Sequence, residues 1–248
     1  MSVRSSILAL VGLFLFVPAA SAQWNGYNTP RAGVGINFVV GQPMDEFADF
    51  VEAAYGGELM GRFALDPTGI LSLRGDLGFM IYGYDSKRVC FQGIGCRVEA
   101  RLKTSNNIFY GGIGPELALP LAWARPYANA FMGFGYFNTS SSLESLWGDQ
   151  DSFTTENFGD GTFSWGAGWG LELNVNRGGI PVYLDFGARY HHHGVMEYLT
   201  EGDLVDNPDG SVTVYPNRTE ANLISYRFGV TIGFPRGGRD RDRGRSRR

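Results

Sequence analysis

The chain has 248 residues with 36 glycines, 14% aromatic and 19% charged residues, and a formal net charge of −4. Each glycine costs a helix interior about 1 kcal/mol relative to alanine, so this composition excludes a mainly helical protein and fits a single all-β domain. The small net charge hides a split: Pro235–Arg248 holds seven arginines against Asp240 and Asp242, net +5, whereas Gln23–Phe234 carries 13 basic and 23 acidic residues, net −10.

Arg4, the apolar run Ile7–Val17 and Ala20-Ser21-Ala22 follow the order of a secretory signal peptide: charge, hydrophobic core, small-residue cleavage site. Residues 1–22 are expected to be removed, leaving Gln23 first. The apolar run of 11 residues is far shorter than the roughly 20 that span a bilayer as a helix, and no later stretch is continuously apolar. Export places Cys90 and Cys96 where disulfides persist, which predicts one loop-closing bridge. Two cysteines with no nearby histidine do not make a zinc site.

Val34, Ile36, Phe38 and Val40 alternate with Gly33, Gly35, Asn37, Val39 and Gly41, predicting a first strand from Ala32 with one oily face. Gln42–Tyr55 is polar and predicts a loop with a helical turn around Asp45–Ala54. A second strand, about Gly57–Leu65, sets Leu59, Phe63 and Leu65 against Glu58, Met60, Arg62 and Ala64. Asp66-Pro67-Thr68-Gly69 has the residues of a type I turn. The third strand, Ile70–Tyr84, opposes Leu71, Leu73, Leu77, Phe79 and Ile81 to Ser72, Arg74, Asp76, Gly78, Met80 and Tyr82.

Asp85–Ser105 is polar and predicts a long excursion bearing the cysteines. Strand four starts near Asn107, with Phe109, Ile113 and Leu117 opposite Tyr110, Gly112, Gly114 and Glu116; Pro115, lacking a donor, predicts a bulge or an early end. A short connection spans Pro120–Pro126, strand five Tyr127–Asn138, and a polar stretch Thr139–Asp160. Strand six has the cleanest alternation: Phe163, Trp165, Ala167, Trp169, Leu171, Leu173 and Val175 against Ser164, Gly166, Gly168, Gly170, Glu172 and Asn174. After the turn Asn176–Gly179, strand seven sets Val182, Leu184, Phe186, Ala188 and Tyr190 against Tyr183, Asp185, Gly187, Arg189 and His191. Gly194–Glu220 predicts an excursion with a small hairpin tipped by Asn207–Gly210. In the last strand Ile224, Tyr226, Phe228, Val230, Ile232 and Phe234 oppose Ser225, Arg227, Gly229, Thr231 and Gly233.

Eight strands joined alternately by long polar loops and short turns predict an eight-stranded antiparallel up-and-down transmembrane β-barrel over residues 23–234, its long loops outside and both mature termini in the periplasm. A soluble carrier barrel would also alternate, so the polar face decides. Its glycines and scattered charges, Glu58, Arg62, Arg74, Asp76, Glu116, Glu172, Asp185, Arg189 and Arg227, suit a cramped interior, which at eight strands side chains fill. Four arginines and five carboxylates taken together from water must form a mutually paired network. It acts as a plug, with a conducting pore as the alternative.

On these features the chain resembles the small outer-membrane β-barrel families, OmpA-transmembrane-domain or OmpX-like in architecture, over Arg31–Phe234. Arg227, Gly229, Ile232 and Phe234 resemble the C-terminal insertion signal of such barrels, which implies recognition by the barrel-assembly machinery. The resemblance implies a bacterial outer-membrane location and a structural or surface-interaction role for the loops. Some barrels of this size deacylate lipid A with His, Ser and a carboxylate; His191-His192-His193 is followed by Gly194-Val195-Met196 with no serine, so no enzyme, cofactor or metal is expected. By parity His191 and His193 share the lumen side near the outer end of strand seven, and the cluster is read as a polar, interfacial rim.

Gln42–Tyr55, Thr139–Asp160 and Gly194–Glu220 hold fifteen acidic residues and one basic residue, Arg218, whereas Asp85–Ser105 holds Lys87, Arg88, Arg97, Arg101 and Lys103 against Asp85 and Glu99. The basic excursion is expected to meet lipopolysaccharide phosphates and the acidic loops divalent cations or a basic partner. Pro235–Arg248 is predicted to be a disordered, Arg-rich periplasmic tail with an acidic periplasmic partner; an exported chain meets no nucleic acid.

Overall fold

The computed structural model describes residues 30–90, 99–145, 153–176, 180–200, 202–207 and 212–234. The predicted signal peptide, Cys96, the hairpin tip at 208–211 and the arginine-rich tail lie outside them. Eight strands close into one antiparallel barrel: β1 (Ala32–Pro43), β2 (Ala54–Ala64), β3 (Leu71–Cys90), β4 (Glu99–Ala118), β5 (Ala124–Ser145), β6 (Phe153–Asn176), β7 (Val182–His193) and, last in the chain, β12 (Leu223–Phe234). Neighbours in sequence are neighbours in the wall, and β12 closes it against β1 with Phe234 opposite Ala32. Closure needs intimate backbone contact there. A Cβ on Gly229 would lie 2.1 Å from the Ile36 carbonyl oxygen, so only glycine fits that point of the seam.

The alternation read from the sequence sets the faces. Ile36, Phe38, Leu59, Leu77, Ile113, Phe163, Trp169 and Phe228 are exposed on the outside, while Glu58, Arg74, Glu116, Glu172, Arg189 and Arg227 are buried inside. The turn at residues 66–69 is held by its first side chain: the Thr68 and Leu71 amides donate to the two Asp66 carboxylate oxygens (2.8 and 2.7 Å), and Gly69 takes φ 75°. Hydrogen bonds from Thr68 hold the Asp66 carboxyl at about 2.

Several boundaries differ from expectation. Asp85–Ser105 is not a free excursion, because β3 and β4 stay paired up to Cys90 opposite Glu99. Likewise, β5 and β6 pair through most of Thr139–Asp160, up to Leu143 opposite Phe153. Strands that rise above a membrane are wet on both faces and need not alternate, and Ser/Thr-rich segments still accept a pleated backbone. Pro115 produces neither bulge nor strand end. Pairing to β3 runs through it opposite Leu73, and pairing to β5 is interrupted at Gly114 and Pro115 and resumes in the same register at Glu116 opposite Asn129. The missing donor is absorbed by a gap on one side.

The turn expected near Asp45 is a 3-10 helix, Asp45–Asp49, entered at Asp45 with φ 52°. Between β7 and β12 lie two small ribbons where one hairpin was expected: β8 (Val195–Tyr198) with β11 (Asn217–Glu220), and β9 (Leu204–Asp206) with β10 (Val212–Val214).

Candidate functional site

The lower half of the lumen is a chain of charged groups reaching from wall to wall. Arg62 on β2 pairs with Glu172 on β6, four strands away around the ring. Glu172 also meets Arg125 (3.3 Å), which reaches Glu116 (2.7 Å); Glu116 meets Arg74 (3.0 Å), and Arg74 meets Asp76 (2.9 Å) and lies 3.7 Å from Glu58. Arg189 crosses from β7 to Asp76 on β3 (2.6 Å), and Arg227 reaches Glu58 (3.3 Å). Asp185 joins through the Tyr127 hydroxyl (2.6 Å), which itself accepts from Arg227 (3.3 Å).

The register alone would be costly, since Arg62 faces Arg74 across β2–β3 and Glu172 faces Asp185 across β6–β7. Arg62 and Arg189 find their carboxylates across the lumen, Arg74 along its own strand and on β4, and Arg125 opposite Glu172 on β6.

All nine charges singled out in the sequence are therefore buried in one network. Sequence reasoning missed a tenth, Arg125, which is 5% exposed and bonded to two carboxylates. It sat just before the predicted start of strand five, but it shares the inward parity of Tyr127 and Asn129. The excess of one carboxylate in the predicted set was the available signal. With Arg125, the described residues place five arginines and five carboxylates in the lumen.

The upper lumen is an apolar plug. Phe47 of the 3-10 turn is fully buried among Tyr82, Phe137 and Tyr198, with ring centroids 5.8, 5.9 and 5.1 Å away. Met80, Ile108, Met196 and Leu223 pack around them. Tyr82 donates to the Leu199 carbonyl (3.0 Å), tying wall to cap. Burial under the cap raises the Tyr198 phenol above its ordinary value. Val39, Met80 and Tyr82 were on the inward parity in the sequence, but the partners that cover them come from two loops whose fold alternation does not report.

His191 and His193 face the lumen, the side their parity gives, but lie too deep to form an interfacial rim. His191 and His193 are buried, ring on ring at 6.0 Å, while His192 packs at a tilt against Trp165 (4.9 Å). A serine is at hand after all: His191 Nε2 lies 2.9 Å from Ser225 Oγ, and His193 Nδ1 lies 2.9 Å from the Ala221 carbonyl oxygen. Both sit inside the wall, beneath the plug. Among the described residues no three metal-ligating side chains converge. Cys90 ends β3, and its predicted partner Cys96 lies outside the described residues. In the last strand Arg227 points inward, whereas Ile232 and Phe234 face out at 40% and 46% exposure.

The outer face settles the environment of the barrel. From Val34 to Val40, Tyr55 to Phe63, Leu71 to Ile81, Phe109 to Leu117, Ala128 to Phe134, Phe163 to Val175, Val182 to Tyr190 and Ile224 to Phe234, no outward position carries a charge. A water-facing surface of that extent would be unstable and sticky, whereas lipid requires it. This is the architecture of the small outer-membrane barrels.

No family model matches the chain, and no curated protein matches it. Among solved structures, Ail, the attachment invasion locus protein of Yersinia pestis, is 11% identical with a TM-score of 0.46, over 83% of this chain and 99% of that one. Neisserial surface protein A is 10% identical with a TM-score of 0.40, over 82% and 96%. The N-terminal β-barrel domain of Pseudomonas aeruginosa OprF is 13% identical with a TM-score of 0.31, over 82% and 98%. Identities and scores this low leave the role of this barrel to its own residues.

Proposed function

We propose that the protein is a sealed outer-membrane barrel that works through its extracellular crown, as a surface-contact protein rather than a conduit. The observation that carries this is the filling of the lumen along its length, with paired charges below and an aromatic plug above, while β3–β6 continue past the apolar belt as a paired sheet. Chain invested beyond the membrane has no part in closing the wall. The basic upper end of β3–β4 suits anionic groups of the outer leaflet, lipopolysaccharide first among them. The buried His191–Ser225 contact gives no support to lipid deacylation, because neither group reaches the outer face where acyl chains lie.

Planar-bilayer recording of the refolded protein tests the seal. The expected trace has no discrete conductance steps; reproducible unitary steps would restore the narrow channel.

A further inference from the structure

The lipid-facing wall is not evenly clothed. Gly57 stands between Phe38 and Phe79 on the neighbouring strands, and Gly61 between Val34 and Gly75. Nothing in the backbone demands these three glycines. None has a positive φ; a Cβ on Gly61 would meet nothing within 4 Å, and on Gly57 and Gly75 the nearest atoms would be 3.6 and 3.8 Å away. What their lack of side chains creates is space on the outside. An apolar furrow of about 650 Å³ runs past Phe38, Gly57 and Phe79, and shares Leu59 and Leu77 with a second stretch of about 620 Å³ past Gly61 and Gly75.

Cations stand above this furrow on the same wall. The register shift between Ile81 and Gly83 puts Tyr84, Ser86 and Arg88 on the outer side, opposite Ser105, Lys103 and Arg101. Arg88 and Arg101 thus oppose each other, an unfavourable pairing unless an anion sits between them. Arg101 is paired along its backbone with position 144 of β5, so this cationic edge belongs to the continuous β3–β4–β5 wall. Counting from the Ile81–Asn107 pair, Lys103 and Arg101 lie four and six residues up β4, roughly 10 and 15 Å of height on a tilted strand. A phospholipid interface is only about 5–8 Å deep on each side. A phosphorylated oligosaccharide head reaches that height.

We propose that this wall seats a phosphorylated outer-leaflet glycolipid of the lipopolysaccharide type, with an acyl chain in the furrow and phosphate-bearing sugars against Arg88, Arg101 and Lys103. A second copy of the chain is a poorer occupant, because a two-fold contact through this face would bring the cations together. The proposal rests on the outer-membrane, surface-contact role stated above.

The test titrates the full chain, refolded in micelles, with fluorescent lipopolysaccharide, its dephosphorylated form and phosphatidylethanolamine. Three proteins are compared: wild type; Gly57→Leu/Gly61→Leu/Gly75→Leu, which fills the furrow; and Arg88→Gln/Arg101→Gln/Lys103→Gln. Heat-modifiable mobility reports folding, and Gly61→Leu alone, at the most open position, serves if the triple variant does not fold. Filling the furrow is expected to weaken lipopolysaccharide binding roughly tenfold, the worth of about two buried methylenes. The charge variant is expected to lose about as much, but only toward the phosphorylated form. Unchanged binding by the filled variant overturns the furrow, and if the charge variant still loses binding, the crown's phosphate contact survives. Equal wild-type affinity for all three lipids overturns both. A filled variant that changes only cross-linked dimer yield assigns the furrow to a second copy.

Discussion

Arg74→Met is expected to destabilise the barrel by about 3–5 kcal/mol, read as a lowered urea midpoint for the refolded protein by tryptophan fluorescence. Arg74 is 1% exposed, bonds Asp76 and Glu116 and lies within 3.7 Å of Glu58. Its removal leaves three interior carboxylates short of a cation in a lumen where water cannot freely replace it, and that unmet charge dominates the loss of packing. Adding Glu116→Gln should recover part of the loss, since one of the stranded carboxylates is then neutral. The coupling between the two positions is the informative quantity. A loss under about 1 kcal/mol, without coupling, would mean that the lumenal charges do not depend on one another.

Ala167→Arg on the outer face of β6 is expected to cost about 2–4 kcal/mol, the penalty for a cation near the bilayer midplane of a barrel. Ala167 is exposed, lies between the outward Trp165 and Trp169, and loses little packing when replaced, so the change reports the surroundings of the wall. On a water-facing barrel the same change would stay within about 0.5 kcal/mol. The two substitutions separate the faces: one removes a charge from the inside and the other adds a charge to the outside, and both are expected to destabilise.

What the sequence discloses tracks where water is excluded. In β6, between Phe163 and Val175, each residue meets lipid on one side or a crowded lumen on the other, so alternation is strict and legible without coordinates. Above the belt the same strand is wet on both faces, and Phe153–Asp160 reads as loop although it is paired. Arg125 was lost for a related reason. It lies beside Pro126 at the entry to β5, where turn chemistry outweighs parity, although five carboxylates against four arginines signalled a missing cation. The plug was the least legible feature. Phe47, Tyr82, Phe137 and Tyr198 come from four separate segments, and only closure of the wall brings them together. The furrow was equally hidden, because outward glycine reads as weak alternation until the open space beside Gly61 is seen.

The orientation of the wall is the claim on which the rest depends, and depth-dependent quenching tests it most directly. Trp169 is 69% exposed on the outer face. A variant keeping only this tryptophan, the other four changed to phenylalanine, is refolded into vesicles whose lipids carry bromine at a shallow or a deep acyl position. Strong quenching that is greatest for deep bromine is the predicted result. Fluorescence that ignores lipid bromine and falls instead with aqueous iodide would contradict it.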